Sequence, residues 1–205
     1  MQKALFFIVL LISFKSVAQN DSKAAFQKSR YDLAMSYYQK SDFVKALDLF
    51  SIASKIKPEN QLGKDAFKKI DTLKTMLRKN ILSKIIGTWK MTGDKPIWSV
   101  NANLKSNVNG IEELIEISQS KIVFYEQDLK TKVKKTIKTE DLAYYNKDES
   151  DALFSAVILS DGTIWSCLLN DDSTVLHVIN IAKQTEKGIE KITSDNLERY
   201  FSKVN

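Results

Sequence analysis

The stretch "SKIIGTWKMTG" (residues 83–93) decides the fold, because the hydrophobic period changes inside it. Upstream of it, Leu62, Ala66, Ile70, Leu73, Leu77 and Ile81 recur at three- and four-residue steps, which places them on one face of a helix. From Ile85 the period falls to about two, the spacing of a strand with one buried face. The chain therefore reads as α+β, with a helical module over 22–82 followed by an antiparallel β module over 84–205. Trp89, between Gly87 and Gly93, is the largest side chain on the first strand and raises the question of what it packs against.

The helical module is best read in "YDLAMSYYQKSDFVKALDLFSIASKIKPEN" (31–60). Leu33, Ala34 and Tyr37 share a face, and after a break at Lys40-Ser41 so do Phe43, Ala46, Phe50 and Ala53. Ser41 is the expected N-cap of the second helix, Asp42 suits its first turn, and Pro58 ends it. Helices joined this tightly are antiparallel neighbours. The order of these small, aromatic and proline residues over 27–60 resembles one tetratricopeptide repeat. Arg30 and Ser41 stand where that family has its early tryptophan and its turn glycine. The resemblance implies a protein or peptide partner at the inner surface of the first helix, on Lys28, Tyr31, Met35, Tyr38 and Gln39. The alternative is that these residues pack within the protein.

In the β module, candidate strands run over 85–93, 112–118, 120–127, 131–138, 141–146, 153–160, 163–169 and 174–182, with a weaker one at 188–193. In "AVILSDGTIWSCLL" two apolar runs flank Asp161-Gly162, which predicts a two-residue hairpin turn. Eight or nine short strands with close turns predict an up-and-down barrel or a sandwich. The terminal "SDNLERYFSKV" reads as a short helix capped by Ser194 or Asp195.

Gly87-Thr88-Trp89 on the first strand of such a barrel is similar to the lipocalin family, in its bacterial lipocalin-like form. In that fold the tryptophan closes the barrel base and a basic side chain from after the last strand covers its ring. The resemblance implies a barrel of about eight strands, with Trp89 as the plug and Arg199 as its cover. A small apolar ligand would sit toward the other end, on Trp98, Tyr125, Phe154, Trp165 and His177. Trp98 lies in "KPIWSVNANLKSNVNG" (95–110), read either as a lid over the open end or as a packed surface loop. Eight-stranded barrels are either filled by side chains or hollow enough for one small ligand, so both remain open.

Composition narrows the chemistry. Hydrophobic residues at 43% and charged residues at 27% match an ordinary globular chain. "ALFFIVLLISF" (4–14), preceded by Lys3 and followed by Ser16-Val17-Ala18, reads as a signal peptide over 1–18 cleaved near Ala18-Gln19, with an uncleaved anchor or buried helix as the alternative. The expected location is periplasmic or secreted, with no stable membrane span after cleavage. Cys167 is the only cysteine and reads as a small buried apolar residue. His177 is the only histidine, so no zinc site of His and Cys ligands can be assembled. It alternates with Val175 and Ile179, which predicts a hydrogen-bonded interior histidine. No Gly-rich phosphate loop or Gly-x-Ser-x-Gly elbow occurs. Lys130, Lys132 and Lys134 read as one lysine-rich strand face without interleaved aromatics, against nucleic acid. The sequence thus predicts an exported, non-catalytic binding protein without cofactor or metal. Its alternative is an assembly factor of the bacterial envelope with a filled barrel.

Overall fold

A computed structural model describes residues 22–94, 110–145 and 153–204. Its described residues fall into two compact units, one ending at Leu77 and one beginning at Arg78. The boundary lies inside a helix rather than at the change of period.

The first unit contains α1 (22–39), α2 (Phe43–Ile56) and the start of α3 (Gln61–Ile85). Ring contacts Tyr31–Phe50 at 5.2 Å and Tyr38–Phe43 at 5.6 Å set α1 antiparallel to α2. Ala34, Ala46, Leu47, Phe50, Ala53, Ala66, Ile70 and Leu73 are buried. Leu33 is 41% exposed; the face that α1 buries runs instead through Ala34 and Gln27. Gln27 is fully buried and polar, and its hydrogen bonds explain why this is tolerated. Its amide nitrogen donates to the Ala53 and Lys57 carbonyls at 2.8 and 3.1 Å, and its oxygen accepts from Asn60 Nδ2 at 2.6 Å. The cap of α2 is Asp42, not Ser41. Ser41 takes the left-handed conformation at φ 61°, leaving the Asp42 carboxylate to accept from the Lys45 amide.

The second unit holds the last turns of α3 and ten antiparallel strands: β1 (Gly87–Gly93), β2 (Ile111–Ile117), β3 (Lys121–Asp128), β4 (Lys134–Asp141), β5 (Ala143–Tyr144), β6 (Val157–Ile158), β7 (Thr163–Leu169), β8 (Val175–Thr185), β9 (Gly188–Lys191) and β10 (Glu198–Lys203). They form one sheet in the order β4-β3-β2-β1-β10-β8-β7-β6-β5, with β9 paired to β8. The terminal segment expected to be a helix is strand β10. Arg199, Phe201 and Lys203 alternate with Glu198, Tyr200 and Ser202, and the strand fills the slot between β1 and β8.

The sheet does not close into a barrel. Its ends, β4 and β5, are separated only by Leu142, and an antiparallel pair needs at least a two-residue turn. The chain therefore passes from one edge of the sheet to the other without forming a ladder. The sheet still curls enough for Phe124 of β3 to meet Trp165 of β7 edge to face, with centroids 5.7 Å apart. The seam is bridged by a side chain: Glu140, 2% exposed, accepts from Ser160 N at 2.8 Å and Ser160 Oγ at 2.9 Å.

The Asp161-Gly162 turn is one residue longer than expected. Leu159 N donates to Thr163 O and Gly162 N to Leu159 O, so Ser160-Asp161-Gly162 forms the loop, with Gly162 at φ 81°. A Cβ on Gly162 would lie 2.4 Å from the Gln184 carbonyl oxygen.

Trp89 is fully buried with Ile85, Ile115, Ile117, Ile122, Leu176 and Phe201, and Ile81 and Leu82 pack on the same cluster. Its indole nitrogen donates to the Ile85 carbonyl at 2.7 Å. The cation over its ring is Lys203, at 5.4 Å from the centroid, not Arg199. The register decides this: Trp89 faces Lys203 across the β1–β10 ladder, and Arg199 lies four residues, about 13 Å, further along β10. Lys203 Nζ also donates to the Lys84 carbonyl at 3.0 Å, so it neutralises the end of α3.

Trp89→Phe keeps an aromatic ring but removes the donor and part of the indole's volume, and leaving a buried carbonyl unpaired should by itself cost about 1–3 kcal/mol; urea unfolding measures it. Gly162→Ala should cost a similar amount, about 1–3 kcal/mol, because it combines a strained backbone with a clash against a carbonyl. A midpoint equal to wild type would refute either assignment.

Candidate functional site

A cavity of about 430 Å³ lies inside the curl of the sheet. Alternation along the strands selects its lining. Ile115 and Phe124 point inward, as do Trp165, Val178 and Phe201, and with Leu159 they form an apolar floor. Two residues further along the same strands, the same alternation brings Glu113, Glu126, Thr163, Asn180 and Arg199 to the rim. Lys138 and Asp161 complete it from β4 and the β6–β7 loop.

Part of this charge is internally settled. Lys138 pairs with Glu140 and lies 3.9 Å from Asp161. Burial pushes the Glu140 carboxyl up, but hydrogen bonds from Lys138 and Ser160 outweigh it and hold the group below its ordinary value. Lys138 is raised by its bond to Glu140. Asp161 is lowered, chiefly by the Thr163 amide that donates to it at 2.9 Å. Glu113 and Glu126 face each other in the β2–β3 register. Neither they nor Arg199, which is half-buried, makes an ion pair or hydrogen bond through its side chain with another described residue.

Of the five residues expected at a ligand, the structure brings Trp165 and Tyr125 to this cavity. The Tyr125 ring lies under Lys134 Nζ at 5.6 Å, so it borders the cavity without forming its floor. Phe154 is buried but is not part of the lining; its carbonyl accepts from Arg78 Nε at 2.7 Å. Trp98 and its loop lie outside the described residues. His177 is hydrogen-bonded as expected but is on the opposite face of β8 from Leu176 and Val178, so it does not line the cavity. Its ring stacks on Tyr200 at 4.1 Å, and Nε2 lies 2.8 Å from Glu198 Oε2, which also accepts from Tyr200 Oη at 3.0 Å.

The helical residues expected at a partner are largely engaged within their own unit. Tyr31 packs on Phe50, and burial followed by the Asp65 and Asp32 charges raises its hydroxyl. Tyr38 packs on Phe43 beneath Lys69 Nζ at 4.9 Å. Lys28 pairs with Asp32 at 2.6 Å, Met35 is half-buried and Gln39 is exposed.

The three lysines do not share a strand face. Lys130 and Lys132 sit in a turn whose amides at Lys130 and Thr131 donate to Asp128 Oδ1, and only Lys134 belongs to β4. Lys132 and Lys134 instead border a second groove of about 370 Å³ with Lys90 and Glu112. Glu112, 7% exposed, pairs with Lys90 at 2.7 Å.

Among the described residues no group of three or more His, Cys, Asp or Glu could hold a metal ion. No helix among them is long and apolar enough to cross a membrane. Alternation from Ile115 and Phe124 could have found Glu113 and Glu126 in the sequence. Nothing in the sequence signals the Glu140–Ser160 contact, which joins β4 to the β6–β7 loop across the seam. No family model, curated protein or solved structure matches the chain.

Cys167 lies in the core below Trp165, and burial pushes its thiol from 9.0 to about 12. The folded state therefore favours the neutral thiol, a stabilisation present below pH 9 and lost as pH rises toward 12. Tyr200 acts in the same direction, raised from 10.0 to about 12 by burial and its bond to Glu198. Stability should fall across this alkaline window. Native protein near pH 8 should resist a thiol reagent that labels it readily in urea; rapid native labelling would contradict the burial of Cys167.

Proposed function

We propose that this is an exported, non-catalytic binding protein whose curled sheet holds a small, largely apolar ligand and whose helical unit contacts a protein partner. The observation that carries the reading is the cavity of about 430 Å³ with an apolar, aromatic floor and a charged rim. Its size falls within the range of about 300–1,000 Å³ typical of small-molecule sites. Aromatic side chains give a ligand large contact area, and the few polar groups at the mouth orient it. The buried Trp89 belongs to the base of the sheet and takes no part in the site. The lipocalin-like and tetratricopeptide-like comparisons are part of this proposal, resting on Gly87-Thr88-Trp89 and on the pattern over 27–60.

The partner half rests on a different observation. The helical unit leaves Phe67 68% exposed, with Phe26, Val44 and Ile52 each more than two-fifths exposed. This same observation supports the second reading, an assembly factor of the bacterial envelope that uses its surface and carries no ligand.

A titration separates the two. A fluorescent apolar probe should bind wild type one-to-one and be lost from Val178→Phe, which adds volume to the cavity floor, while circular dichroism stays unchanged. Absence of binding to the wild-type protein would sink the carrier reading and leave the assembly factor.

A further inference from the structure

Building on that carrier reading, we infer that the cavity selects a zwitterionic amphiphile, a molecule with an apolar body and a head bearing both an ammonium and an anionic group. The inference comes from which charges in the lining are already matched. Lys138 is taken by Glu140, with Asp161 beside it, and Glu140 is further held by Ser160. Three charged groups of the lining then lack a partner among the described residues: Glu113, Glu126 and Arg199.

The two glutamates are direct cross-strand neighbours. Like charges placed opposite each other on one face of a sheet are destabilising; Lys135, opposite Glu126 on β4, makes no ion pair with it, and a cation between the two glutamates removes the repulsion. Both stand one inward step beyond the floor residues of their strands, Ile115 and Phe124. A ligand whose apolar body lies on that floor therefore brings its head between them.

Arg199 stands one inward position beyond Phe201 on β10; Phe201 pairs with Met91, the β1 position level with Glu113, so Arg199 lies one step nearer the mouth than the glutamates. β2 and β10 flank β1, so Glu113 and Arg199 lie two strand spacings apart across the sheet, about 10 Å, and one inward step, about 7 Å, apart along it. On β1, Met91 packs on the core between Glu113 and Phe201, and beyond it Gly93 has no side chain to fill the space toward Arg199. The gap suits a head that meets the glutamates on one side and the guanidinium on the other. Arginine pairs with carboxylate and phosphate oxygens in a two-pronged geometry, and charge-assisted bonds of this kind are the strong ones.

A ligand with one charge fits less well. A simple carboxylate would satisfy Arg199 and leave two glutamates facing an added negative charge. A simple amine would satisfy the glutamates and leave a half-buried guanidinium unmatched beside it. Two sources supply the zwitterionic head: an α-amino acid with an apolar side chain, and a phosphoethanolamine lipid head.

A matched eight-carbon series tests this by calorimetry on the intact protein: 2-aminooctanoate, octanoate, octylammonium, 1-octanol and octyl phosphoethanolamine. One of the two zwitterions should bind about ten-fold or more tighter than each singly charged or neutral relative, and which one identifies the source. Arg199→Gln should reduce that zwitterion to the level of octylammonium, and the Glu113→Gln/Glu126→Gln pair to the level of octanoate. Octanoate or octanol binding as tightly as both zwitterions would overturn the inference while leaving a carrier of apolar molecules. Failure of the whole series together with the fluorescent probe would overturn the carrier reading itself. The comparison among ligands is made on wild-type protein, so it stands even where a variant fails to fold.

Discussion

The hydrogen bond from the Trp89 indole to the Ile85 carbonyl is the constraint from which the sheet unit is laid out. A helix end leaves four carbonyls without intrahelical partners, and those buried in a core cannot turn to water. At the end of α3, Leu82 O is taken by Ile86 N, Lys84 O by Lys203 Nζ and Ile85 O by Trp89. The first and last strands of the sheet thus complete the helix. Because Trp89 must face inward to do this, the alternation of β1 is fixed, and its register partners on β2 and β10 inherit it. Ile115, Phe201 and the rest of the floor face inward as a consequence.

The same layout explains why the sheet can curl without closing. Inserting β10 between β1 and β8 ties the two ends of the unit's chain together in the middle of the sheet. The free edges are then β4 and the two-residue strand β5, backed by the equally short β6, where little ladder is available. Glu140 substitutes for missing backbone bonds by accepting twice from Ser160, and Lys138 offsets the charge that this buries. A buried carboxylate is tolerable only with such compensation, and each of its bonds is charge-assisted. The seam is therefore polar, whereas the surroundings of Trp89 are packed with apolar side chains.

Between the Trp89 cluster and the cavity rim, residues change character every second position along the strands. Ile117 and Ile122 lie in the core, Ile115 and Phe124 form the floor, and Glu113 and Glu126 reach the rim. This gradient from apolar to charged gives the cavity a direction. Any occupant that obeys it lies with its apolar part on Trp165 and Phe124 and its polar part toward Arg199. The outer face of the sheet follows different rules, with the His177–Glu198–Tyr200 cluster and the Lys90–Glu112 pair each satisfied locally.

The sequence by itself determined that helices come first and where helix gives way to strand, because periodicity is a local property that survives without knowledge of the fold. It also indicated that Cys167 is interior, from the apolar run around it, and the resemblance carried by Gly87-Thr88-Trp89 implied that Trp89 is buried, as both are. Only the tertiary structure decided which residue covers Trp89, because the choice between Arg199 and Lys203 is a matter of register across strands far apart in sequence. The same holds for the terminal strand: "NLERYFSKV" has a helix-compatible pattern, and the open slot between β1 and β8 overrode it. His177 was misplaced for a related reason. Val175 and Ile179 beside it are apolar, yet the curl of the sheet put the core on the side of Leu176 and Val178. Alternation identifies two faces of a strand, and only packing says which one is inside.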